Sequence, residues 1–197
     1  MELRDAVDQI TRIRTQLAAT EELRSLSAFP VLVSVAAALA AAVVQILYVP
    51  EPLAAPVAYL ALWSVAALCG AGAAALAVAV RVRRMASRHE VATAWQALRA
   101  LAPALAAGGC LSIALVWRAP AELALLPGLW QLLYAVGLCA AHRLLPGPAY
   151  AIAGFFAVAG LTNLALGEAA LSPWAMLVPF VVGQGLVAGA FGRGGGR

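Results

Sequence analysis

Phe29 to Val49 reads FPVLVSVAAALAAAVVQILYV. The stretch carries no charge, and its length suits a helix that crosses a bilayer, because about 20 residues rising 1.5 Å each span a hydrocarbon core of roughly 30 Å. Five more apolar stretches follow, at 57–80, 100–117, 123–141, 149–167 and 174–191. Only helices and closed barrels satisfy their backbone polar groups in lipid, and continuous apolar runs of this length are not barrel strands. The expected fold is therefore all-α: a polytopic membrane protein of six transmembrane helices arranged as three hairpins.

Composition agrees. The chain has 197 residues, 64% hydrophobic and 11% charged, with a mean hydropathy of +0.91. A soluble domain of this size carries roughly 45–50% apolar and about 25% charged residues, and could not hide this much apolar surface. A soluble enzyme, a disordered chain, a nucleic-acid-binding domain and a disulfide scaffold are excluded.

Three domains follow from the pattern. Residues 1–28 read as an amphipathic helix, cytoplasmic or interfacial, with Leu3, Val7, Ile10, Ile13 and Leu17 on one stripe. This segment has four Arg against five acids, a net −1, whereas a membrane-surface helix is normally basic. Residues 29–192 form the transmembrane domain, and 193–197 a Gly/Arg tail. No cleavable signal peptide is expected, because the first apolar stretch is too long for an h-region.

The charges give topology. All thirteen basic residues are Arg, and twelve of them fall on one side of the spans, Arg118 being the exception. By the positive-inside rule both termini are expected in the cytoplasm. The basic pI of about 9.4 thus reports orientation rather than phosphate binding.

Candidate chemistry is sparse. Glu51, Glu122 and Glu168 fall in the outer turns and Glu90 in the cytoplasmic loop, so no carboxylate sits at mid-membrane. His89 and His142 stand at span boundaries, and no HExxH motif or paired His occurs, so no metal site or cofactor is expected. Ser34, Ser64 and Ser112 lie outside any nucleophile elbow, which argues against intramembrane proteolysis. Cys69, Cys110 and Cys139 lack metal or redox spacing and are expected as small buried packing residues. No catalytic residue is assigned, and the chain is not read as an enzyme.

Milder polar residues remain. Gln131, Tyr134, Asn163 and Gln184 are the candidate lining of a polar pocket, against interhelical hydrogen bonding as the plainer reading. The 81–99 segment has five Arg against Glu90. There Arg81, Arg83, Arg84, Arg88 and Trp95 are the candidate surface for anionic lipid or a protein partner. A weak repeat links the three hairpins: Trp63 precedes Gly70 by seven residues, Trp130 precedes Gly137 by seven, and Trp174 precedes Gly183 by nine. Gly70-Ala71-Gly72 and Gly183-Gln184-Gly185 are expected as patches for close helix approach.

The string Trp130-Gln131-Leu132-Leu133-Tyr134 with Gly137, then Phe155, Gly160-Leu161, Leu171-Ser172-Pro173-Trp174-Ala175-Met176, Pro179-Phe180 and Gly183-Gln184, resembles a group of uncharacterised bacterial multi-pass inner-membrane proteins. An Arg-containing amphipathic helix leading into Phe29-Pro30 fits the same pattern. The resemblance implies a bacterial inner membrane and brings no catalytic residue with it.

The expected function is a non-catalytic membrane module that binds a partner, acts as a sensor or serves in assembly. Its expected contacts are the lipid bilayer and, through the N-terminal helix and the 81–99 loop, a protein partner or a second copy, with no nucleic acid. The alternative is a small transporter or channel for a neutral or apolar solute.

Overall fold

The computed structural model describes residues 29–85, 88–144 and 149–193. The expected amphipathic helix at 1–28 and most of the C-terminal tail lie outside the described residues.

Every regular element among the described residues is helical. α1 runs Phe29–Tyr48, α2 Pro56–Met85, α3 Arg88–Arg118, α4 Leu126–Ala141, α5 Ala149–Leu166 and α6 Pro173–Arg193. Two 3-10 helices, Pro120–Leu125 and Gly167–Leu171, make the turns before α4 and α6. Prolines mark the starts: Pro56 and Pro173 open α2 and α6, and Pro120 opens the first 3-10 helix. A proline at that position loses nothing, because the first N–H groups of a helix have no intrahelical partner. α5 ends where Gly167 takes φ +57°, the only positive φ among the described residues. That left-handed step suits a residue without Cβ.

Five segments are long and apolar enough to cross a membrane: Phe29–Tyr48, Pro56–Val80, Arg99–Arg118, Pro120–Ala141 and Ala149–Leu171. The apolar part of the sixth helix, Pro173–Val187, is shorter. These helices mark a membrane protein. α4 is the central element, with half of its span buried, whereas only 11% of the α2 span is covered. It packs on α3 and, most extensively, on α5. Two clusters make the core. One joins α1 and α2 to the turns through Ala41, Tyr59, Trp63, Leu123, Leu126 and Leu171. The other joins α4 to α5 through Ala135, Leu138, Ile152 and Phe156.

Two expectations change. The 81–99 segment is not a loop: α2 continues to Met85 and α3 starts at Arg88, well before its apolar part at Arg99. Pro103 consequently sits inside α3. The three cysteines are exposed rather than buried. An apolar medium around the bundle accommodates a thiol on the outer face as well as in the core, so an apolar neighbourhood in sequence does not say which way it points.

Candidate functional site

The most polar point of the bundle interior is built by α4, α5 and α6. Gln131 is fully buried and Asn163 is 3% exposed. Asn163 Nδ2 donates to Gln131 Oε1 at 3.0 Å. It also donates to the Ala175 carbonyl at 3.0 Å. Gln131 Nε2 donates to the same carbonyl at 3.1 Å.

The backbone of α6 explains this convergence. A helical carbonyl normally accepts from the N–H four residues on. Four residues after Ala175 stands Pro179, which has no N–H, inside the helix. The Ala175 carbonyl would therefore be orphaned, and the two amide side chains take the place of the missing donor. Neighbouring side chains commonly satisfy backbone groups freed by proline in membrane helices.

The other sequence candidates fall around this triad or away from it. Tyr134, one turn further along α4, stacks edge-on against Phe156 with ring centres 4.8 Å apart, and at 6.5 Å from Phe180. Gln184 is half-buried on α6. Of the four candidate pocket residues, Gln131 and Asn163 are joined directly, and their amides are committed to each other and to Ala175. Arg83 is exposed near the end of α2. The side chains of Arg81, Arg84, Arg88 and Trp95 lie outside the described residues. Their backbone belongs to α2 and α3.

Two further polar links tie helices together. Trp63 Nε1 donates to Gln45 Oε1 at 2.8 Å, and Gln45 Nε2 donates to the Leu171 carbonyl at 2.6 Å. Trp130 Nε1 donates to Ser112 Oγ at 2.7 Å, and that hydroxyl donates to Gly108 O one turn back at 2.6 Å. In both links the tryptophan reaches a polar residue 18 positions earlier. The glycines that follow these tryptophans also act alike. A Cβ on Gly70 would lie 2.7 Å from Ser34 Oγ on α1, and one on Gly137 would lie 3.1 Å from Leu101 on α3. Gly183 likewise abuts the Phe156 ring on α5. Each is thus a point where a helix touches the one before it. Gly72 and Gly185, from the same expected patches, have open space around them.

An open cleft of about 530 Å³ lies at the turns, lined by Glu51, Pro52, Leu53, Ala54, Glu168 and Leu171. At the other end of the bundle, His142 Nδ1 is 2.7 Å from the Cys139 carbonyl and its ring stacks on Tyr150 at 4.3 Å. Among the described residues no three His, Cys, Asp or Glu gather as a metal-holding group.

Sequence reasoning missed Gln45 and Ser112 as partners of the two tryptophans, although the shared spacing of 18 was present to be found. It also missed the role of Pro179. Comparison of the chain with protein-family models, with curated proteins and with solved structures gave no match.

Proposed function

We propose that this chain is a non-catalytic protein of the bacterial inner membrane, with both termini in the cytoplasm, that works by binding a partner as a sensory or assembly module. The observation that carries the reading is the use made of the interior polar groups. Gln45, Ser112, Gln131 and Asn163 are each buried and each hydrogen-bonded inside the bundle. A side chain held this way serves packing, since a solute would have to match the bonds it displaced. The Trp-to-polar link of the first two hairpins and the glycine contact in each of the three further support an arrangement in three hairpins.

Recognition then falls to the arginine-rich end. α2 and α3 run beyond their apolar spans there, as far as Met85 and back to Arg88. Five arginines against one acid over 81–99 complement an acidic partner surface, including the net −1 segment at 1–28.

The test is purification from native membranes in mild detergent, with crosslinking and mass spectrometry of co-eluting proteins. A stoichiometric partner crosslinked to 1–27 or 81–99, and lost on deletion of 1–25, is the expected result. Recovery of the chain alone, together with solute uptake in liposomes, would replace this reading with the transport alternative.

A further inference from the structure

The four tryptophans whose side chains are described divide into two kinds. Trp63 is 3% exposed and Trp130 is part-buried, and each spends its indole N–H inside the bundle. Trp117 and Trp174 are 81% and 60% exposed. Their positions along the helices account for the difference. Trp63 stands seven residues into α2 and Trp130 four into α4, whereas Trp174 is one residue into α6 and Trp117 one residue before the end of α3. Tyr48, 77% exposed, is the last residue of α1. The exposed large aromatics at this end thus come from three different helices, all at the level where the turns begin.

The opposite end carries its own pair. Phe29, the first residue of α1, is 45% exposed, and Tyr150, the second of α5, is 60% exposed. From Phe29 to Tyr48, α1 covers roughly 29 Å at 1.5 Å per residue, close to the roughly 30 Å of a bilayer hydrocarbon core.

We infer that Tyr48, Trp117 and Trp174 sit in the headgroup layer of one leaflet and Tyr150 in that of the other, with the Phe29 ring at the edge of the acyl chains beside it, so that phospholipid itself is the partner at both ends. An indole or phenol at this level keeps its ring beside acyl chains and gives its N–H or O–H to lipid carbonyls or water. The match of α1 to a bilayer, with an aromatic at each end, is what selects lipid over protein as the occupant. A protein partner at one end would set no spacing between the two.

The inference is tested on the full chain in phosphatidylcholine vesicles whose lipids carry bromine either beside the glycerol backbone or at the chain terminus. Fluorescence of the parent is compared with that of Trp117→Phe and Trp174→Phe. Both side chains point outward, so neither variant disturbs the internal Trp63 and Trp130 bonds. The emission lost with each variant is expected to be quenched more by the shallow bromines than by the deep ones. Stronger quenching by the chain-terminal bromines would overturn the inference, and so would quenching only by aqueous iodide or by neither lipid.

Discussion

Gly128 on α4 and Gly160 on α5 face each other with no side chain between them: a Cβ on Gly128 would lie 2.7 Å from the Gly160 carbonyl oxygen, and one on Gly160 2.8 Å from that of Gly128. Both glycines are buried. Small residues let membrane helices approach this closely, and close approach lets short polar side chains bridge them. One turn along each helix stand Gln131 and Asn163, which bridge that gap.

Alanine at Gly128 or Gly160 should accordingly destabilise the bundle by about 1–3 kcal/mol, because the obstacle is backbone and cannot swing aside. Gly72 and Gly109 provide the opposite case. Each sits in a helix with open space where a Cβ would go. Alanine there should be neutral or stabilise by up to about 1 kcal/mol through helix propensity alone. Unfolding in detergent by denaturant titration separates the two signs, and equal behaviour of all four variants would refute the close approach.

Replacing Asn163 by Leu leaves Gln131 Oε1 and part of the Ala175 carbonyl without their donor. The expected cost is about 1–3 kcal/mol, the penalty of an unsatisfied buried polar group. The same substitution in a Pro179→Ala background should cost less, because residue 179 then brings its own N–H to Ala175. A double-mutant cycle measures this coupling, expected near 0.6 kcal/mol and at most about 1.7 kcal/mol. A coupling of zero would separate Pro179 from the triad.

Tyr59 is fully buried, and its hydroxyl has no hydrogen-bond partner in the structure. Its ring packs in the core shared by α1, α2 and the turns. Removing an unpaired buried hydroxyl while keeping the ring relieves a desolvation cost, so Tyr59→Phe should leave stability unchanged or raise it by about 1–3 kcal/mol. A clear loss of stability in the same assay would mean that the hydroxyl is bonded in the membrane.

Cys69, Cys110 and Cys139 point outward, so enlarging each to Leu should change stability by no more than about 0.5 kcal/mol. Were they packed inside, as their apolar surroundings in sequence suggested, the added volume would cost about 1–3 kcal/mol by overpacking.

The sequence by itself determined that this is a helical membrane protein, because a continuous apolar run of about 20 residues has one physical solution in lipid. It also put Glu51, Glu122 and Glu168 in turns between the spans, and named Gln131 and Asn163 as polar residues that needed an account. Only the tertiary structure decided which faces of the helices turn inward. Lipid is as apolar as the core, so hydropathy is the same on a buried face and an exposed one. That is why Cys69, Cys110 and Cys139 were misplaced and why the meeting of Gly128 with Gly160 could not be read in advance. The partners of Gln45, Ser112 and Ala175 belong to the same class: each bond depends on which helices are neighbours, at what depth, and on a backbone donor that Pro179 removes.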